Sequence, residues 1–146
     1  MGFLSKVNNT DGEFFSEINH TGDVGVLVRG NTIEEIVQNS IKALASMYFD
    51  LDELQPNART TYSSSFKSQE DALVDLLNFV IMEIDSDSII YYEASSLRVF
   101  AGNLETDLLG FKITDNMIPK RVLKAVTYHE IKVDLKGGFA RILFDI

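Results

Sequence analysis

Two spacings of apolar residues alternate along this chain, and each change of spacing marks a boundary between elements. In DVGVLVR (23–29) the period is two, with Val24, Val26 and Val28 on one face, and the preceding EFFSEIN (13–19) has the same strand composition. From residue 33 the period lengthens. Ile33, Ile36, Val37, Ile41, Leu44, Ala45 and Tyr48 fall on one side of a helix over 33–48. Thr32, three residues before Glu35, completes a capping box that satisfies orphan amides at the helix start. Pro56 and Asn57 interrupt the pattern, and ARTTYSSSFK (58–67), rich in Thr and Ser, reads as a strand. A second helix begins at Ser68, capped with Asp71, and carries Leu73, Leu76, Leu77, Val80, Ile81 and Ile84 in one stripe until Asp85–Ser88 stops it. Residues 89–100 have strand composition, and 101–119 predict a strand with irregular flanks.

The last segment, KRVLKAVTYHEIKVDLKGGFARILFDI, contains two strands around Gly137-Gly138, the signal of a two-residue hairpin. That loop sets Lys136 opposite Phe139, so Ile131, Val133 and Leu135 share a face with Phe144, Ile142 and Ala140. Strand pairs around two helices, without βαβ alternation, predict an α+β domain. Its two amphipathic helices pack on a mostly antiparallel sheet that ends in a C-terminal β-hairpin.

Composition narrows the chemistry. A chain of 146 residues, 45% hydrophobic and 24% charged, suits one globular domain. It has no cysteine, which rules out disulfides, thiolate zinc sites and cysteine nucleophiles, and its two histidines, His20 and His129, cannot form an all-histidine metal cage. The net charge of −9 opposes phosphate backbones, so direct nucleic-acid binding is not expected, whereas a basic partner or a cation is. No apolar run reaches the length of a membrane span and no basic-then-apolar leader opens the chain, so a cytoplasmic location is expected.

The hairpin register places Asp145 opposite Glu130, and Ile146 with its terminal carboxylate opposite His129. Like charges across a ladder destabilise it unless they are neutralised. A hard cation held by oxygens would do this, Lys132 could supply a partial counter-charge, or a frayed chain end could leave the charges to solvent. Asp23 would join them only if its strand lies beside the last one. His129 falls on the apolar face, as a hydrogen-bonded histidine at the core edge would. The run His20-Thr21-Gly22-Asp23 suits either a turn or the entry to a ligand site. No phosphate-binding loop, HExxH or GxSxG motif occurs, and Asp85-Ser86-Asp87 departs from an EF-hand loop at Ile89 and at the missing sixth-position glycine.

HTGDVG (20–25), KAVTYH (124–129) and FDI (144–146), in this order, resemble the archease family. The resemblance covers residues 17–146 in layout, which makes residues 1–16 an N-terminal extension to a single domain. It implies a small α+β protein, itself not an enzyme, that activates the GTP-dependent RNA ligase of tRNA splicing and RNA repair. Such proteins promote guanylylation of the ligase and restore it for further turnovers, and a chaperone-like role is also attributed to the family. The resemblance further implies a divalent-metal site, assigned as calcium, made by Asp23, Asp145 and the backbone oxygens of Ile146. Gly22 stands where the family usually has Ala, and Phe111 follows Gly110 where an acidic residue is usual. Two rival readings differ in class. A metal-assisted hydrolase would use Asp23 with His20 or His129 and turn over without a partner. A general chaperone or scaffold would hold its metal structurally. The oligomeric state is open, with an exposed sheet edge as one route to a multimer.

Overall fold

The computed structural model describes residues 14–20, 22–52 and 54–146, with the backbone alone at Asn19 and His20. The turn-like cluster Asn8–Gly12 and most of the expected N-terminal extension lie outside these residues. Seven strands and two helices follow in the order β1 (Phe15–His20), β2 (Asp23–Arg29), α1 (Ile33–Tyr48), β3 (Ala58–Ser65), α2 (Gln69–Asp87), β4 (Ile89–Phe100), β5 (Asn103–Lys112), β6 (Ala125–Asp134) and β7 (Phe139–Asp145). Both helices start as their caps predict. The Thr32 hydroxyl accepts from Glu35 N at 3.1 Å, and the Ser68 hydroxyl accepts from Asp71 N at 3.1 Å. The Glu35 carboxylate reaches back one residue further than a capping box requires, to Asn31 N at 2.8 Å.

The strands form two antiparallel sheets, ordered β1-β2-β7-β6 and β3-β5-β4. Helix α1 packs on β2 and β4, and α2 on β6 and β4, so each helix touches strands of both sheets. Ile36, Ile41 and Leu44 of α1 and Leu73, Leu76 and Leu77 of α2 are fully buried in this shared core. Burying a leucine or isoleucine side chain contributes about 1.5–3 kcal/mol, which makes the helix layer the main adhesive between the sheets. In the middle of the second sheet, Gly110 leaves no room for a side chain: a Cβ there would strike the Ile90 carbonyl. A bulge between Tyr91 and Glu93 leaves Tyr92 without a partner on β5, so neighbouring Tyr91 and Tyr92 are both buried.

The C-terminal hairpin exists, but in a different register. Asp134 pairs with Phe139 and Lys132 with Arg141, so four residues, 135–138, turn the chain where two were expected. Asp134 Oδ1 accepts from Gly137 N at 2.8 Å, and Gly138 adopts φ +76°, a left-handed conformation that suits glycine. Further along, Thr127 pairs with Leu143 and Ala125 with Asp145, so residues 128–131 bulge out opposite Ile142. Local bonds hold the bulge. Thr127 Oγ1 accepts from His129 N at 2.7 Å, Tyr128 donates to Asp71 at 2.9 Å, and Arg141 Nε donates to Glu130 O at 3.1 Å. Glu130 therefore does not face Asp145. His129 is displaced from the apolar face, with its side chain 61% exposed beside Glu130 at 3.1 Å.

Candidate metal centre

A tight loop joins β1 to β2, because His20 pairs with Asp23. Gly22 takes φ +77°, as such loops require. The loop sets Asp23 at the first position of β2. Strand β2 then lies beside β7, where Asp23 is paired directly with Asp145. One row therefore crosses the whole first sheet: His20, Asp23, Asp145 and Ala125.

The type of pairing sharpens this juxtaposition. Gly30 N donates to Gly138 O at 3.0 Å, and hydrogen-bonded pairs alternate along the β2–β7 ladder, so Asp23 and Asp145 occupy a non-hydrogen-bonded pair. Such pairs bring Cα atoms to about 4.5 Å and their side chains closer than the alternative does. Val24, Val26 and Val28 face the core together with Phe144, Ile142 and Ala140, which sends Asp23 and Asp145 to the opposite face. Asp23 is half-buried and Asp145 exposed. In the next row of that face a Cβ on Gly25 would lie 2.7 Å from Leu143 Cδ2. Glycine thus lets Leu143 lean over the strand, and Leu143 is 1% exposed, an apolar neighbour behind the two carboxylates.

The segment before β6 closes the site. Lys124 N donates to Asp145 O at 2.8 Å, Lys120 N donates to Tyr48 O at 2.7 Å, and Lys120 Nζ bridges to Asp50 at 3.1 Å. Arg121 bridges to Glu17 of β1 at 2.7 Å. The Tyr48 hydroxyl accepts from Leu123 N at 2.9 Å and donates to Leu123 O at 3.1 Å. Burial pushes the Tyr48 hydroxyl above its ordinary titration range, with the Leu123 bond opposing that shift.

Oxygen is the whole donor set here, and oxygen ligands suit a hard divalent ion rather than a soft one. Among the described residues no three His, Cys, Asp or Glu side chains cluster as a metal site. Two carboxylates would therefore need main-chain oxygens or water to complete a coordination shell, and Ile146, the 53% exposed neighbour of Asp145, has such oxygens. On β6 the partner of Asp145 is Ala125 instead of Glu130, and the second carboxylate comes from Asp23 on β2. No local signal reveals that exchange, because it depends on a pairing between chain segments more than a hundred residues apart. The side chain of His20 and all of Thr21 lie outside the described residues.

Comparison with known proteins places this arrangement. The model of the Archease protein family matches residues 15–146. Protein archease of Thermoplasma acidophilum is 33% identical over 132 residues, covering 90% of this chain and 93% of its own. Protein archease of Thermoplasma volcanium is 32% identical, covering 88% and 96%. These relatives are named as proteins, without an enzymatic activity. Two solved structures share the fold. Protein 1598 of Methanobacterium thermoautotrophicum superposes with a TM-score of 0.74 at 20% identity, covering 90% of this chain and 98% of its own. An archease of Thermotoga maritima, described as a possible chaperone, gives 0.59 at 21% identity, covering 88% and 94%.

Proposed function

The chain belongs to the archease family, and from that membership we propose that it is a non-enzymatic protein cofactor of a GTP-dependent RNA ligase in tRNA splicing and RNA repair. In this reading it promotes guanylylation of the ligase and its repeated turnover. The observation that supports it is the pairing of Asp23 with Asp145 at the sheet end. Those carboxylates, with the backbone oxygens of Ile146, would hold a divalent cation, Ca²⁺ first among the candidates. When bound, the ion would supply positive charge that phosphate oxygens of a nucleotide can share.

The chain's own residues would do the rest. Asp23 and Asp145 orient the ion from two neighbouring strands, so the site is as rigid as the sheet carrying it. The net charge of −9 would steer the protein towards the cationic face of an RNA-binding ligase rather than towards RNA itself. Among the described residues no helix is long and apolar enough to cross a membrane.

The test is ligase guanylylation and multiple-turnover RNA joining at fixed divalent-ion concentration, with wild type, Asp23→Ala and Asp145→Ala. Stimulation by wild type that falls at least tenfold in both variants is the expected result. Full stimulation by both variants would sink the metal site while keeping the partner. A second reading, a general chaperone or scaffold with a structural metal, draws on the description of the Thermotoga maritima relative. It predicts that unrelated clients are protected from aggregation equally well by wild type and Asp23→Ala.

A further inference from the structure

Three of the sheet edges are β3, β4 and β6, and two of them are closed in the same manner. Gln38 of α1 meets the edge of β4 with its carboxamide, accepting from Ala94 N and donating to Ala94 O, both at 2.7 Å. Asn78 of α2 does the same to β6, accepting from Val126 N at 2.8 Å and donating to Val126 O at 3.4 Å. Glu70 adds an acceptor for Val133 N at 2.9 Å. A carboxamide bonded in this way stands in for one residue of an additional strand, so neither edge can accept one there.

Among the described residues strand β3 has no such guard. Phe66 N donates to Gly102 O at 2.8 Å, which fixes the phase of the β3–β5 ladder: even-numbered residues bond to β5, and Arg59, Thr61, Ser63 and Ser65 turn their backbone groups outward. Among the described residues nothing bonds those groups. The strand is eight residues long, contains no acidic residue or proline, and alternates exposed with half-buried positions. Its outer side chains are small hydroxyls apart from Arg59, whose guanidinium is bridged to Asp107 of β5.

We propose that β3 is a docking strand for β3 of a second copy, joining two three-stranded sheets into one of six strands. Parity narrows the register to two-fold axes centred on a residue. Only outward residues can exchange hydrogen bonds, so odd-numbered residues must face odd-numbered residues. A two-fold axis at Tyr62 meets this condition, setting Thr61 opposite Ser63 and Arg59 opposite Ser65. Hydroxyl then meets hydroxyl across the ladder, the two Tyr62 rings pair on the inner face, and the two Arg59 side chains lie at opposite ends. Slipping the strands to bring Arg59 onto its own mate would oppose like charges and shorten the overlap. The net charge of −9 does not prevent this contact. Asp107 of one copy and Glu105 of the other are separated by three strand spacings, about 14 Å, beyond the screening length of about 8 Å at physiological salt.

Sedimentation of the full chain from micromolar to millimolar concentration tests the pairing. The expected result is a mass that rises from monomer to twice that value in wild type and stays monomeric in Thr61→Glu/Ser63→Glu. That double variant opposes carboxylates across the two-fold and leaves the bonds to β5 intact. Should it fail to fold, Thr61→Cys/Ser63→Cys provides an independent reading, because the natural chain has no cysteine. Oxidation should yield a covalent dimer of that variant and none of Ser86→Cys, on the far end of α2. A wild type that remains monomeric, with no disulfide-linked dimer, overturns the proposal. A dimer that survives the two glutamates does the same. A monomeric wild type whose ligase stimulation falls in Thr61→Glu/Ser63→Glu would give the strand to the partner protein, and self-pairing would again be wrong.

Discussion

At the residue scale, Asp23 and Asp145 form a non-hydrogen-bonded pair, so a bound cation would act on two carboxylates already side by side. Ligand binding to the folded state alone stabilises it by mass action. At a Ca²⁺ concentration about 100 times the dissociation constant the gain is about 2.7 kcal/mol, which for a chain of this length raises Tm by roughly 8 °C. Differential scanning calorimetry with and without Ca²⁺ should show this rise for wild type. It should be absent from Asp23→Asn and Asp145→Asn, which keep the side-chain shape and remove the charge. A rise that persists in both variants would place calcium binding elsewhere on the molecule.

At the element scale, each helix does two jobs. Its apolar stripe fills the core, and one carboxamide on its flank closes a sheet edge. Gln38 makes two bonds to Ala94, and Asn78 makes two to Val126. Truncating either leaves a partly buried backbone N–H and C=O without protein partners, at a cost of about 1–3 kcal/mol. Gln38→Ala and Asn78→Ala should each lower the unfolding free energy by that amount, read as a lower denaturant midpoint at unchanged slope, and amide exchange should quicken at Ala94 or Val126 respectively. If exchange quickened equally on all strands, the loss would be global rather than at the edge. The β6 bulge belongs to this scale as well. Thr127, Glu130 and Arg141 bond within the first sheet while Tyr128 reaches across to α2, so the bulge clasps helix and sheet together.

At the scale of the whole molecule, Tyr48 ties the long connection between β5 and β6 to the helix layer. It is 2% exposed, and its hydroxyl satisfies both backbone groups of Leu123. Tyr48→Phe should cost roughly 1–3 kcal/mol by leaving those groups unpaired. Burial raises the Tyr48 hydroxyl above its ordinary value of 10.0, so the folded state favours the neutral form. That contribution is fully present below the ordinary value and is lost as pH rises through the raised one. Unfolding curves from about pH 8 to pH 11 should therefore decline less steeply for Tyr48→Phe than for wild type. Some slope will remain, because burial also raises Tyr62, Tyr91 and Tyr92. Equal slopes would mean that Tyr48 does not take part.

Local information was sufficient wherever a feature depends on neighbours a few residues away. The stripes of α1 and α2, their caps at Thr32 and Ser68, the alternation of β2 and the presence of a final hairpin all follow from periods, caps and turn residues. The hairpin register did not follow, because the Asp134 side chain widened the turn and contacts from Asp71 and Arg141 drew residues 128–131 out of the ladder. The HTGDVG, KAVTYH and FDI motifs point to the family by resemblance, and the chain's membership of that family is shown. Why Asp23 should meet Asp145 was not contained in either segment. A strand's own pattern states which face its residues occupy but never which distant strand lies beside it. Tertiary structure alone decided that β7 inserts between β2 and β6 and that two sheets form rather than one. Each of these is settled by the shared burial of both helices, a free energy that belongs to the assembled core and to no segment of the sequence.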